Sequence, residues 1–222
     1  MKLNRVYRSV DELPTVLPLF PLGGGLLLPR RPMQLNLFET RYLAMLDDSL
    51  RGERLIGMIQ PVGGEDGKEA NPALLPIGCV GRIVQYAEIG DGRCFLTLMG
   101  VTRFHLGEEI EAITPYRQAK ADYGAFAADL TEGEGEQSVD RDALVEALRV
   151  YALSNGVEID WADVKGASTE SLVNGLSMMS PYGWREKQAL LEAKDLKARA
   201  EMLVAIAQIE QARAGEQGGA LH

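Results

Sequence analysis

Few of the side chains that usually carry out chemistry occur in this sequence. Its 222 residues include two cysteines and two histidines, and aromatic residues make up 6%. Cys79 and Cys94 show no Cys-x-x-Cys or Cys/His spacing, so we predict no metal site. No stretch approaches the roughly 20 apolar residues of a membrane span. The N-terminus becomes acidic at Asp11 instead of apolar, which does not fit a signal peptide, so we expect a cytoplasmic protein without membrane contacts.

Motifs for nucleotide hydrolysis and nucleophilic catalysis are also missing. Gly23-Gly24-Gly25 resembles part of a phosphate loop, but the chain contains no Gly-Lys-Ser or Gly-Lys-Thr. There is no Gly-x-Ser-x-Gly elbow, and the histidines are His105 at a predicted strand end and His222 in the tail. Neighbouring carboxylates such as Asp47-Asp48 point in different directions and do not form an acid/base pair. We therefore predict no enzyme, no catalytic residue and no cofactor.

The charge distribution argues against nucleic acid as a partner. Residues 1–123 contain 14 Lys or Arg and 15 Asp or Glu, whereas residues 124–222 contain 9 and 17. The formal net charge is -9. Nucleic-acid binding depends on cations that displace phosphate counterions, and neither half supplies such a field.

Short apolar runs separated by glycine and proline predict strands in the first half of the chain, with one helix among them. Leucines and a tyrosine recur at helical spacing over 36–50. Residues 61–75 contain five glycines or prolines and are predicted to be a loop. The remaining runs predict strands over 15–22, 26–29, 56–60, 78–89, 93–104 and 116–123.

A β-hairpin around Gly90-Asp91-Gly92 is the clearest local signal, because Asp-Gly tolerates the positive φ angles of a tight turn. Centring the turn on Asp91-Gly92 pairs Ile89 with Cys94 and places Cys79 opposite Phe104. The two cysteines then lie on the order of 30 Å apart, too far for a disulfide.

The second half has a helical period. Residues 124–137 are acidic and rich in glycine, which predicts a linker. Ser138 or Asp140 caps a first helix, Asp160 and Ser168 precede two more, and one long helix follows over 184–212. We predict domains at 1–123 (β-barrel), 124–137 (acidic linker), 138–214 (helical bundle) and 215–222 (flexible tail).

A chain of spaced motifs resembles the N-terminal, substrate-binding domain of Lon proteases. The motifs begin with Leu17–Leu22 and Leu35–Tyr42, continue through both hairpin strands, and end in the last helix, so they cover most of residues 15–205. Within them, we predict a structural role for Pro18, Phe20, Pro21, Glu39, Arg41, Gly78, Gly81, Gly100 and Arg103. The resemblance implies an α+β fold: a PUA-like β pseudobarrel with one inserted helix, followed by an α-helical bundle with a long last helix.

The same resemblance implies recognition of protein substrates for degradation. The ATPase and peptidase regions of the full protease have no counterpart in the sequence, so we expect the substrate-binding domain as a free-standing protein. Expected partners are unfolded protein or peptide segments, a separate degradation machine and further copies of the chain. The alternatives are a PUA-like RNA-binding protein, which the charge disfavours, and an enzyme acting on a small ligand, which lacks a base and a nucleophile.

Four residues are candidates for peptide binding. Arg41 and Tyr42 could form a polar feature at the mouth of the barrel, or Arg41 could dock the helix on the sheet through hydrogen bonds. The structural role is favoured, which predicts that Arg41→Ala affects stability more than binding. Met178 and Met179, in the helical half, suit either a core position or an adaptable peptide-binding surface.

Overall fold

The computed structural model describes residues 5–64, 71–156 and 158–218, so residues 65–70 of the predicted loop and 219–222 of the predicted tail lie outside it. The chain forms two compact units. The first comprises Met1–Glu132 with Tyr182–Leu191, and the second comprises Gly133–Pro181 with Glu192–His222. None of the helices in the described part of the chain is long and apolar enough to cross a membrane.

The first unit is built around six strands and one inserted helix. The sheet has the order β2-β5-β4-β3-β1-β6, and β6 also pairs with β5, so five strands close into a barrel with β2 attached outside. β1 and β3 run parallel, whereas the other pairings are antiparallel. The elements are β1 (Val16–Pro21), β2 (Pro32–Leu37), α1 (Thr40–Arg51), β3 (Leu55–Ile59), β4 (Ile77–Glu88), β5 (Cys94–Glu109) and β6 (Gln118–Asp122).

The interior of the barrel is filled by alternating apolar side chains and requires glycine at points of close approach. Leu17 and Leu19 of β1 are completely buried and pack with Phe104 of β5 in one core cluster. A Cβ atom on Gly100 would lie 2.0 Å from the carbonyl oxygen of Leu28, so no larger residue fits without movement of the backbone.

The strand predicted over 26–29 is wrong. Leu26, Leu27 and Leu28 are buried, but their backbone is irregular and β2 begins only at Pro32. The amide of Arg30 donates to the carbonyl of Gly100 at 2.8 Å, which fixes this segment on β5 without a regular ladder. The run is apolar because its leucines are buried, and this burial does not require a strand.

The hairpin is confirmed, but its predicted register is wrong by one residue. Cys94 pairs with Glu88 instead of Ile89, and Cys79 pairs with Arg103. The turn is wider than two residues because Gly90, Asp91 and Gly92 all have positive φ. The cysteines stay at opposite ends of the ladder and remain thiols, as predicted.

The second unit is helical, and its first three helices begin at the predicted caps. Of the two candidates for the first cap, the structure selects Asp140, which accepts a hydrogen bond from the amide of Ala143 at 2.9 Å. Asp160 and Ser168 cap the next two helices. The elements are α2 (Arg141–Asn155), α3 (Trp161–Gly166), α4 (Thr169–Met179) and the long α6 (Leu196–Gly218), while α5 (Trp184–Glu192) belongs to the first unit.

The single helix predicted over 184–212 is two helices, α5 and α6. Asp195 starts α6 by accepting a hydrogen bond from the amide of Ala198 at 2.7 Å. Arg199 of α6 donates to the side-chain oxygen of Asn174 at 2.8 Å in the buried interior of the second unit. Because α6 extends to Gly218, the first residues of the predicted tail are helical.

Residues 124–137, predicted as a linker, contain a 3-10 helix at Gly124–Leu130 and the start of another at Glu136–Ser138. Phe126 in the first of these is buried. Apart from such local differences, the predicted α+β architecture is confirmed: a β pseudobarrel with an inserted helix, then a helical bundle with a long last helix.

Candidate functional site

β4 extends beyond the end of β3, one of the two strands that pair with it. The ladder between β3 and β4 ends where Leu55 pairs with Arg82, whereas β4 extends to Glu88 and pairs there with β5 alone. We call residues 84–88 the outer half of β4 and residues 78–83 the inner half. All five residues of the outer half are exposed, and a register shift between Ile83 and Gln85 separates the two halves. The outer half therefore has an unpaired strand edge.

A groove lies between this outer half and α1. Its volume is about 300 Å³, and its walls include Leu43, Leu46 and Leu50 of α1 with Tyr86, Glu88 and Cys94 of the hairpin. We call it the hairpin groove. It is open at the surface and mainly apolar, which is the usual character of a binding cleft.

The position of α1, one wall of the groove, is fixed by its buried face. The ring of Tyr42 packs edge-on against Phe20 of β1, with ring centroids 4.5 Å apart. Tyr116, which precedes β6, donates from its hydroxyl to a carboxylate oxygen of Asp48 at 2.8 Å. Burial and this hydrogen bond raise the pKa of Tyr116 to about 12.

Large apolar side chains are exposed on the hairpin and ahead of α1. Tyr86 and Val84 on the outer half of β4 are 49% and 52% exposed, and Ile89 at the turn is 49% exposed. Phe38, immediately before α1, is 67% exposed. Single exposed apolar residues are ordinary, but several on one hairpin beside an apolar cleft indicate an interaction surface.

The charged residues at the groove differ in how they are paired. Asp47 on α1 forms an ion pair with Arg51 at 2.6 Å, and Arg93 lies 3.7 Å from Asp91. Glu88 forms no ion pair with any residue that the structure describes. Burial raises the pKa of the Cys94 thiol in the groove wall, and the negative charge of Glu88 raises it further.

The four predicted peptide-binding residues are divided between the two units. Arg41 contacts Glu39 at 2.7 Å and lies over the ring of Tyr42, which is itself buried. The structural role of Arg41 stays a prediction, which Arg41→Ala tests. Met178 is partly buried and Met179 is 80% exposed, both on α4 of the second unit.

Arg103 shows how the predicted structural motif acts. Its guanidinium binds both carboxylate oxygens of Asp129 at 2.8 Å and lies over the ring of Phe126. The side chain is 4% exposed, so this is a buried, charge-assisted contact. It holds the Gly124–Leu130 helix on β5.

The other motif residues occupy points of close packing. Pro18, Phe20 and Pro21 belong to β1, and Glu39 occupies the N-cap position of α1, where its carboxylate accepts a hydrogen bond from Arg41 instead of capping the helix. A Cβ atom on Gly78 would lie 2.5 Å from the carbonyl oxygen of Met58, and one on Gly81 would lie 2.8 Å from Leu27.

The sequence analysis missed Val84, Tyr86 and Glu88. The only signal was the length of the predicted hairpin strands, which exceeds that of the strand over 56–60 and requires an unpaired end. Chemically, the groove offers apolar contact, a strand edge and two carboxylates, of which Asp47 is paired with Arg51. Within residues 5–64, 71–156 and 158–218, no group of three or more His, Cys, Asp or Glu could hold a metal ion.

Comparisons with known proteins agree with this architecture. The chain is 27% identical over 202 residues to the Lon protease of Desulfosudis oleivorans and 26% identical over 203 residues to Lon protease 2 of Myxococcus xanthus. These matches cover 86% and 87% of this chain but 23% and 24% of the relatives. The chain thus spans about a quarter of the length of the curated relatives it matches.

Two solved structures share the fold. The Lon N-terminal domain protein from Xanthomonas campestris superimposes with a TM-score of 0.61 at 23% identity, over 86% of this chain and 98% of that one. The N-terminal domain of the Mycobacterium avium complex Lon protease gives 0.62 at 15% identity, over 87% and 98%. The family described as the ATP-dependent protease La (LON) substrate-binding domain matches residues 16–208. The chain belongs to this substrate-binding domain family.

Proposed function

We propose that the chain binds extended segments of unfolded polypeptides in the hairpin groove, and that it does not itself cleave them. One observation carries the proposal: exposed apolar side chains lie beside an unpaired strand edge and an apolar groove, in a chain whose family is named for substrate binding. Handing the bound segments to a separate degradation machine is the role that this activity would serve.

Backbone pairing would supply part of the affinity. An unpaired strand can accept an additional strand through main-chain hydrogen bonds, which do not depend on the ligand's sequence. The outer half of β4 has five residues in extended conformation with one edge outside any described ladder. This length accommodates a short ligand strand.

Apolar contact would supply the remainder. Tyr86 and the leucines of α1 offer a cleft for one or two apolar side chains, which folded proteins bury and unfolded segments expose. An extended ligand loses chain entropy on binding, so each site should be weak. Several sites brought together by self-association would bind more tightly. The RNA-binding alternative gains no support from a groove with Asp47 and Glu88 in its walls.

The test is a titration of a fluorescently labelled, permanently unfolded polypeptide, followed by anisotropy. We expect saturable binding that Tyr86→Ser weakens about tenfold, because buried aromatic anchors dominate such interfaces. Met179→Ser is the matched control on the other candidate surface and should change the affinity less than twofold. No saturable binding up to about 100 μM protein would refute the proposal, since such sites reach at least that affinity.

Two further measurements distinguish backbone pairing from apolar contact, and binding from cleavage. A peptide ligand with alternate amides N-methylated keeps its side chains but cannot pair with β4, so its binding should be lost. If methylation has no effect, backbone pairing plays no part. Mass spectrometry of the ligand after prolonged incubation should show it intact; fragments would contradict the non-catalytic role.

A further inference from the structure

We infer that the hairpin groove selects segments in which an apolar residue and a lysine or arginine are separated by one residue. This inference rests on the proposed function and adds the chemistry of the preferred ligand. It is carried by the position of Glu88 and by its charge, which forms no ion pair with the described part of the chain.

Glu88 and Tyr86 face the same side of β4. Side chains alternate along a strand, so residues two positions apart share a face at a spacing of about 6.6 Å. In the ladder with β5, Tyr86 pairs with Leu96 and Glu88 pairs with Cys94. Both lie in the groove wall, so the outer half of β4 presents an aromatic ring followed by a carboxylate.

The charge of Glu88 is available to a ligand. Arg93 in the groove wall lies within ion-pair distance of Asp91, and Asp47, the other carboxylate of the wall, is paired with Arg51. Glu88 has no such partner among the residues that the structure describes. Its negative field extends to the groove wall, where it contributes to the raised pKa of Cys94.

The geometry defines the complementary ligand. A segment paired with the outer half of β4 is itself extended, so its own side chains on the groove side also recur every second residue. An apolar side chain against Tyr86 places the side chain two positions away opposite Glu88. A cation there gains an ion pair, whereas a carboxylate there is repelled.

The experiment uses the full chain and a set of labelled peptides with identical apolar content. The set carries Lys, Gln or Glu two residues from a single leucine, and one further peptide has Lys three residues away. At low ionic strength we expect the Lys peptide to bind about threefold more tightly than the Gln peptide, as partly exposed ion pairs do. The off-register Lys peptide should resemble the Gln peptide, and the preference should weaken in high salt.

Variants of Glu88 identify the carboxylate responsible. Glu88→Gln should abolish the preference, so that the Lys and Gln peptides bind this variant equally, and Glu88→Lys should reverse it in favour of the Glu peptide. Glu158→Gln, which makes the same charge change at an exposed site in the second unit, should keep the preference.

The possible outcomes are distinct. Equal binding of all peptides, or a preference that persists in Glu88→Gln, overturns the inference and leaves the proposed function standing. A preference for the Glu peptide in the unmodified chain also overturns it. Failure of every peptide to bind overturns the proposed function itself.

Discussion

The two halves of β4 differ in almost every respect although they form one continuous strand. The inner half is completely buried, flanked by β3 and β5, and includes Gly78 and Gly81. The outer half is exposed, has one neighbour, and carries Val84 and Tyr86. The inner half is fixed by packing, whereas the outer half is available for contact with a ligand. The same strand thus serves as core and as proposed binding surface, divided by a bulge.

The largest loss of stability should come from breaking the ion pair between Arg103 and Asp129, which lies beside the inner half of β4. Arg103 pairs with Cys79 in the ladder between β4 and β5. Asp129→Asn removes the counter-charge of Arg103 and leaves its guanidinium as a buried cation. We expect the free energy of unfolding to fall by about 3 kcal/mol, measured by urea denaturation. The matched change at the exposed turn, Asp91→Asn, should stay within about 0.5 kcal/mol. Equal effects at both sites would contradict the distinction between the two regions.

A steric change at the inner half should have the next largest effect. Gly100 pairs with Gly81, and an added methyl group would meet the carbonyl oxygen of Leu28. Gly100→Ala should therefore destabilise the fold by about 2 to 3 kcal/mol through a forced backbone shift. Gly90→Ala at the turn meets no atom within 4 Å and should cost about 1 kcal/mol from its positive φ alone. A smaller loss for Gly100→Ala than for Gly90→Ala would sink this explanation.

Substitution of Tyr116 tests the hydrogen bond that helps to hold α1, the opposite wall of the groove, in position. Tyr116→Phe removes the hydrogen bond to Asp48 and should cost about 1 kcal/mol at neutral pH. Because folding raises the pKa of Tyr116 to about 12, its neutral hydroxyl stabilises the fold below about pH 10. That contribution is lost as pH rises through the folded-state pKa.

The difference in stability between Tyr116→Phe and the unmodified chain should therefore shrink between pH 9 and pH 12. Urea denaturation across this range measures it. The pKa of Tyr123 is also raised by burial, but Tyr123 is present in both proteins and cancels in the difference. A phenolate titration of Tyr116 near its ordinary value would contradict the contact.

Arg41→Ala should have the smallest effect. Arg41 and Glu39 are both partly exposed, at 34% and 42%, and such pairs contribute about 0.5 kcal/mol. We expect a fall of about 1 to 2 °C in the melting temperature, together with polypeptide affinity changed less than twofold. Unchanged melting with weakened binding would instead place Arg41 in the binding site.

Local sequence signals were enough to predict much of the fold. The caps at Asp140, Asp160 and Ser168, the helical spacing of α1 and the turn glycines all act within a few residues. The prediction of one helix over 184–212 was wrong because Asp195 reads equally well as an interior residue. Only the hydrogen bond to Ala198 identifies it as a cap.

The errors that matter for the site depend on distant parts of the chain. The hairpin register is the exception, because its one-residue error arises locally from the wide turn at Gly90, Asp91 and Gly92, and the later shifts at Val80/Gly81 and Ile83/Gln85 cancel. The exposure of Tyr86 follows from where β3 ends, and the role of Arg103 follows from Asp129, 26 residues away. No pattern within one segment contains this information.

One consequence concerns the order in which the chain is synthesised. The first unit consists of the chain up to Glu132 and of the later segment Tyr182–Leu191. In that segment, Gln188 accepts a hydrogen bond from Gln60 at 3.0 Å, and Lys187 donates to the carbonyl of Gly24. A nascent chain that has exposed every strand, up to Asp122, still lacks this closing helix until about 60 further residues have emerged. During that interval the first unit lacks its last helical segment, and interruption of translation there would release a fragment with an uncovered surface.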